Sequence, residues 1–435
     1  MDNDRHLSAA ADAESARALA DRALELRVVA GDDAPAVAAW RSAVARGFLD
    51  AEPDDDPESA RARLAHRRKI GVHDAAAPVQ DEPVATFASW IGELTVPGGA
   101  GILACAISSV TVAPTHRRRG LLRTLMEGEL RIAAAEGVPV AALTVSESTI
   151  YGRFGFAPAA AAANWTLDTK RATWRGPVPD GRVDFVSRER WAELAAQLHE
   201  RVRMRDAGEL SMPHGHIERF AGTHPGAKDA AARRAIQYTD ASGAVRGVAL
   251  YSVKENHDDF TKSTATVHYL LADGRDAYAA LWRFLVELDL VGQLRAGELS
   301  VDEPLLWMIG DQRAARVTVV DHQYVRILDV PAALGARRYG APGRLLLEVD
   351  DPLGHAAGRW LLESAEDGAA VVSPAAGLAE GATVVRLGVA ELSAAYLGGV
   401  SLATLADAGR VQATDPDLAA RVFGWPRAPR LSFWY

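Results

Sequence analysis

The stretch VTVAPTHRRRGLLRTLM, residues 110–126, decides the fold. VTV closes a strand, because β-branched residues dominate it. Pro114 and Thr115 break that strand. GLLRTLMEGELRIAAA then reads as a helix with Leu121, Leu122, Leu125 and Met126 on one side. Arg117, Arg118 and Arg119 therefore sit at the positive end of the helix dipole, where each cation costs about 0.3–1 kcal/mol. Either water screens them or an anion occupies the site. Gly120 lets a ligand approach the backbone closely. The unpaired N–H groups of a first helical turn suit phosphate, and guanidinium groups add charge-assisted bonds. Arg-x-x-Gly alone is a weak pattern, and a solvated basic turn is its bland reading. Its place between VTV and an amphipathic helix, with the strand VAALTVSES after it, makes a phosphate-binding strand–loop–helix unit.

Outward from this unit, residues 26–165 alternate strand and helix signals. LRVVAG and PAVAAWRSAVARGFL give a strand and a helix. EPVATFASWIGELTV, GILACAISSVTV and VAALTV are strand-like, and IYGRFGFAPA and NWTLDT follow. Residues 166–322 repeat the plan. RVDFVSRERWAELAAQLHERVR supplies a strand and helix, AIQYTD, VRGVALYSVKE and TATVHYLLAD three strands, and DAYAALWRFLVELD a helix. The arginine cluster has no counterpart there. Asp273 and Asp276 take its place, and carboxylates repel a polyanion. Residues 323–435 differ: YVRILDV, RLLLEVDDPL, GRWLLESAEDGAAVV and ATVVRLG are strand signals, with helices in PAALGARRYG, AELSAAYLGG and SLATLADAG. This reads as an α+β module of normal domain size. The segment 1–25 reads as a frayed or loosely docked helical extension, without the apolar core of a secretion signal.

The whole chain has 435 residues and a formal net charge of −9, which argues against nucleic acid as main partner. No apolar run is long enough for a membrane span. One cysteine, Cys105, fits a reducing cytoplasm and leaves no intrachain disulfide. It falls inside a strand and reads as a small buried hydrophobe, not a nucleophile. No metal site is expected. HGH at 214–216 reads as a turn with two solvated histidines, and HRR at 66–68 as a solvated face. EPDDDP, residues 52–57, reads as a solvated acidic loop.

VAPTHRRRGLLR, SESTIYGRFGF, DVPAALGARRYG and AYLGGVSLATLADAGRV together resemble the enhanced intracellular survival (Eis) family of GNAT N-acetyltransferases. They span residues 110–411, and Leu122 stands where motif A usually has Gly or Ala. The resemblance implies α/β and α+β architecture: two tandem GNAT-like domains, the second degenerate, followed by a sterol-carrier-protein-like domain. It implies that Val110, Thr111 and Val112 pair with the pantetheine arm of acetyl-coenzyme A. Arg117, Arg118, Arg119, Gly120, Leu121, Leu122 and Arg123 match its pyrophosphate loop. Ser146 and Glu147 match further cofactor contacts, Tyr151 the general acid, and the C-terminal carboxylate of Tyr435 the general base. Asp50, in RGFLD, matches a substrate-side aspartate for aminoglycoside- or polyamine-like cations. The family assembles as homohexamers.

Two of these residues carry a reading of their own. RLSFWY ends the chain on three aromatics, and Phe433, Trp434 and Tyr435 are expected to seek burial. A buried end takes its carboxylate with it, and that anion needs a partner. The bland alternative is an aromatic tail packed elsewhere with its carboxylate in water. Tyr151, in IYGRFGF, is otherwise one of an aromatic core cluster with Phe154 and Phe156. Two competing functions are a lipid or small-molecule carrier working through the C-terminal module, and a protein lysine acetyltransferase.

Overall fold

The computed structural model describes residues 3–53, 56–224, 227, 230–377 and 379–435. In chain order come α1 (Asn3–Leu7), α2 (Ala13–Ala20), β1 (Leu24–Val29), α3 (Ala34–Phe48) and α4 (Pro57–Arg63). Then β2 (Arg68–Asp74), β3 (Ala85–Thr95), β4 (Gly101–Val112), α5 (Leu121–Ala135), β5 (Val140–Thr144), α6 (Ser148–Tyr151) and β6 (Ala157–Asp168) follow. The second series is β7 (Arg182–Val186), α7 (Arg188–Val202), α8 (His216–Ala221), β8 (Arg233–Thr239), β9 (Val245–Lys254), β10 (Ser263–Ala272), α9 (Arg275–Val286), β11 (Val291–Leu299) and β12 (Ala315–Ile327). The last is α10 (Val330–Ala336), β13 (Gly343–Asp350), β14 (Gly358–Ser364), β15 (Ala370–Pro374), β16 (Thr383–Gly388), α11 (Val389–Ala395), α12 (Leu402–Asp407), β17 (Val411–Ala413) and α13 (Pro416–Phe423).

The chain divides into two compact units: residues 1–159 with 323–426 and Tyr435, and residues 160–322 with 427–434. In the first unit β1 to β4 pair antiparallel, β4 and β5 parallel, and β5 antiparallel with β12. α5 crosses between the two parallel strands, burying Leu121, Leu125, Met126 and Leu130 against Ile70, Phe87, Ile107 and Leu143. The second unit has the same order: β7 to β10 antiparallel, β10 parallel to β11, and β11 antiparallel to β6. The duplicated α/β plan thus stands, with one feature local pattern does not report. The closing strand of each sheet comes from the chain that follows the other copy.

The C-terminal module has a five-stranded sheet, order β15-β14-β13-β16-β17. Leu345, Leu346, Leu347, Leu362 and Val385 are fully buried in it. Arg337 is also interior: its guanidinium donates to the carbonyls of Ala395, Tyr396 and Phe423 and lies over the Tyr339 and Phe423 rings.

Four expectations need correction. The N-terminal segment is docked, not frayed. His6 is fully buried, its two ring nitrogens paired with Glu136 Oε2 at 2.8 Å and Ser89 Oγ at 2.9 Å. HRR is not a solvated face, because Arg68 is 1% exposed and bonds Glu129, Ala9 and Ala10. In HGH only His214 is exposed; His216 is buried, and its Nε2 lies 2.9 Å from the Trp434 carbonyl. Of the final aromatics, Phe433 and Tyr435 are buried while Trp434 stays 40% exposed. Of the acidic loop, Asp54 and Asp55 lie outside the described residues; Asp56 caps α4 by accepting from Ser59 N.

Candidate active site

β4 and β5 pair only from Ala104↔Val140 to Ile107↔Leu143. β4 then runs on to Val112, still paired with β3 on its other side. The stretch containing Val110, Thr111 and Val112 therefore has an edge that β5 does not cover. A register shift between Thr86 and Ala88, with Ser109 at φ 53°, bends β4 at this point, as an extra residue in one strand does. Thr111 faces inward: its Oγ1 lies 2.7 Å from Thr86 Oγ1. Gly47, near the end of α3, sits against it, and a Cβ there would meet Thr111 at 2.4 Å. Three residues on, Asp50 is exposed beside the exposed Phe48 and Leu49.

The loop after β4 is pinned by His116, whose Nε2 lies 3.0 Å from Asp74 Oδ2. Arg117, Arg118, Arg119 and Gly120 are all exposed. Arg118 (φ 64°) and Gly120 (φ 73°) adopt left-handed backbone, which costs a non-glycine residue about 1–2 kcal/mol. Gly120 is the N-cap of α5 and gives no side-chain cap, so first-turn N–H groups remain available. Arg22, from the docked N-terminal segment, donates to Arg119 O at 2.6 Å and adds a fourth guanidinium. Leu121 is core and Leu122 half-buried. Arg123 points along the helix to Glu127 at 2.7 Å. An uncovered strand edge, uncapped amides and a basic rim together fit a long anionic thioester with a diphosphate.

β5 ends at Thr144, followed by the exposed Ser146 and Glu147, and α6 delivers Tyr151. Tyr151 is 9% exposed, packs edge-on to Phe156, and its hydroxyl makes no hydrogen bond among the described residues. Burial, with a smaller contribution from the Glu147 charge, pushes its pKa up to about 12, so the phenol keeps its proton at neutral pH. Thr144 Oγ1 donates to a terminal oxygen of Tyr435 at 2.8 Å. The Tyr435 ring packs edge-on to Trp90 at 5.2 Å, and burial raises its phenol pKa. The Tyr435 main-chain oxygen thus lies at the end of β5, where that strand has parted from β4. Cys105 is fully buried, and burial raises its thiol pKa, so it is no nucleophile at neutral pH. No group of three or more His, Cys, Asp or Glu that could hold a metal occurs among the described residues, and no described helix is long and apolar enough to cross a membrane.

Arg22, Trp90 and Thr144 escaped the sequence reading. Thr144 stands two residues before Ser146 and could have been taken from the strand end. Arg22 carried no signal, because its segment read as loose.

Residues 33–159 and 208–327 match acetyltransferase (GNAT) domain families, and residues 330–432 a sterol carrier protein domain. An uncharacterized N-acetyltransferase of Streptomyces griseus is 37% identical over 391 residues, covering 86% of this chain and 91% of that protein. N-acetyltransferase Eis of Mycobacterium tuberculosis is 33% identical over 395 residues, covering 84% and 89%. The crystal structure of Eis1 from Mycobacterium abscessus superposes with a TM-score of 0.78 at 27% identity, covering 94% of this chain and all of that one. The duplicated α/β plan, the appended α+β module and these likenesses agree: the chain belongs to the Eis family of GNAT N-acetyltransferases, which use acetyl-coenzyme A.

Proposed function

We propose that this enzyme acetylates amino groups of polycationic small molecules, of the aminoglycoside or polyamine kind, with Tyr151 as general acid and the Tyr435 carboxylate as general base. The observation that carries the reading is the hydrogen bond from Thr144, which holds the terminal carboxylate at the end of β5. Val110–Val112, the Arg117–Leu122 turn, Ser146 and Glu147 are the residues that would hold acetyl-coenzyme A, which supplies an activated acetyl thioester when bound. Arg123, engaged with Glu127, contributes charge at the rim.

An amine of pKa about 10 is mostly protonated at neutral pH and cannot attack. A carboxylate beside it attracts the cation and accepts the proton that the nitrogen must lose. Tyr151 Oη holds a proton and has no competing acceptor among the described residues, so it can deliver that proton to sulfur as the C–S bond breaks and the C–N bond forms. Solvent then reprotonates the phenolate. Asp50 adds negative charge for a second amino group of the acceptor.

Thiol release with a polyamine or an aminoglycoside as acceptor tests the assignment. Tyr151→Phe lowers kcat by about 10²–10⁴-fold, and a one-residue glycine extension after Tyr435 abolishes turnover. Parent-like turnover in both variants overturns both roles.

A further inference from the structure

We infer that Arg22 is a positioning residue of the cofactor site, locking the Arg119–Gly120 peptide so that its N–H, and not its carbonyl, faces the diphosphate. This rests on the reading of the Arg117–Leu122 turn as the diphosphate site. The Arg22 guanidinium makes three bonds. Nε donates to Ala18 O at 2.8 Å, Nη1 to Arg119 O at 2.6 Å, and Nη2 to Thr124 Oγ1 at 3.2 Å. The first keeps the side chain on its own segment, and the other two reach the turn and the start of α5. Thr124 passes the restraint on: its amide donates to Gly120 O at 3.0 Å and its hydroxyl to the same oxygen at 3.2 Å. The carbonyls of Arg119 and Gly120 are thus both held. In a trans peptide the C=O and the next N–H point in opposite directions. With Arg119 O turned toward Arg22, the Gly120 N–H points away from it, and it has no backbone partner among the described residues. Glycine tolerates either sign of φ, so nothing intrinsic keeps this peptide from turning over. Turned over, it would present a carbonyl oxygen to a polyanion.

The segment before β1 is built to deliver this guanidinium. Arg22 stands between α2 and β1, with the buried Leu19 and Leu24 on either side, and its amide donates to Leu19 O at 2.9 Å. α2 is fastened to α5, the helix that the turn opens. Ser15 Oγ donates to Thr124 O at 2.9 Å, and Arg131 Nη2 to Asp12 Oδ2 at 2.6 Å. Thr124, Gly128 and Arg131 follow helical spacing along one face of α5. Gly128 permits the close approach: a Cβ there would lie 2.4 Å from Ser15 Oγ and 3.1 Å from Asp12 Cβ. Glycine in the middle of a helix is otherwise destabilising, and at this position it admits α2. The segment is therefore a strut running along α5 to the phosphate turn.

Calorimetric titration with coenzyme A tests the role. Arg22→Met keeps the aliphatic stem and removes every donor. It is expected to weaken coenzyme A by about tenfold or more. Arg22→Lys recovers part of the loss, because an ammonium can still donate to Arg119 O but cannot hold Ala18 and Thr124 as well. Arg22 is exposed, so its bare charge acts on the ligand only at low salt. The ratio of variant to parent Kd is expected to persist from about 0.1 M to about 0.5 M salt, where such attraction is largely screened. Pantetheine, which lacks the diphosphate, binds parent and Arg22→Met alike. Four results overturn the inference: a parent-like Kd for coenzyme A in Arg22→Met, a ratio that vanishes in salt, Arg22→Lys binding no better than Arg22→Met, or an equal loss for pantetheine. Arg118→Glu separates the two failures. If it weakens coenzyme A while Arg22→Met does not, the diphosphate site stands and Arg22 is dispensable. If neither variant weakens it, the reading of the turn itself falls.

Discussion

Arg326 is 0% exposed, yet each of its nitrogens has a partner. Nη2 donates to both Asp351 oxygens at 2.8 Å, Nη1 to the Ile327 carbonyl, and Nε to the Phe154 carbonyl at 3.1 Å. Burial pulls the guanidinium pKa down while Asp351 pushes it up; the Asp351 pKa stays lowered, so the pair is ionic. Phe154 follows Tyr151 by three residues, and Gly155 (φ 84°) is pressed so close to Val389 that a Cβ would lie 2.7 Å from it. Arg326 thus ties the Tyr151 turn to the loop after β13. Arg326→Met leaves Asp351 buried with only the amides of Leu353 and Ala356. It is expected to destabilise by about 3–5 kcal/mol, read as a lower urea midpoint. Arg326→Met combined with Asp351→Leu recovers part of that loss, because no charge is then stranded. A single variant with the parent's midpoint contradicts the pairing argument.

Among elements, α1 and α2 are where sequence and structure part most. Their composition is polar and alanine-rich, which reads as loose because the residues that anchor them are polar and their partners lie far along the chain. Asn3 accepts from Ile91 N, His6 meets Ser89 and Glu136, Ser15 donates to Thr124 O, and Asp12 receives Arg131 at 2.6 Å. Periodicity reports apolar faces and is silent about such bonds. The β-loop-α unit was legible for the opposite reason: strand, breaker, arginines, glycine and helix are consecutive, so their chemistry is local. The roles given to Tyr151 and Tyr435 rest on the family resemblance, whereas the aromatic ending RLSFWY by itself pointed to burial of Tyr435. Thr144 was not legible, because a threonine at a strand end has no distinctive neighbours in sequence. Deleting residues 3–9 removes α1 and takes a partner from the half-buried Glu136, from the buried Arg68 guanidinium, and from Ser89, which keeps Glu129. Each buried group left unsatisfied costs about 1–3 kcal/mol, so the deletion is expected to lower Tm by several degrees, at about 2–4 °C per kcal/mol. An unchanged Tm would restore the picture of a loose extension.

For the molecule as a whole, duplication raises the question of how many cofactor sites a chain has. The second copy keeps the first one's backbone device. β10 pairs with β11 only from Ser263 to Val267, then continues to Ala272 beside β9, so these strands part as β4 and β5 do. Geometry alone would allow a second thioester. The turn chemistry does not. Asp273 stands where the basic loop begins in the first copy, accepting from Arg205 and Arg246, and Asp276 lies in the first turn of α9. Arg205 and Arg246 are thereby committed to a carboxylate, Arg275 at the start of α9 lies 3.8 Å from Asp276, and Asp276 already complements the positive end of the dipole. A diphosphate arriving there would meet two anions in place of three exposed guanidinium groups. Calorimetric titration with coenzyme A is therefore expected to give one equivalent per chain. Arg118→Glu weakens that single event by at least about tenfold, since it removes one charge-assisted contact and adds a repulsion. Asp273→Asn with Asp276→Asn adds no second event, because the arginine cluster is still missing. Two equivalents in the parent chain would mean that backbone geometry outweighs charge at these turns, and the second copy would have to be counted as a working cofactor site.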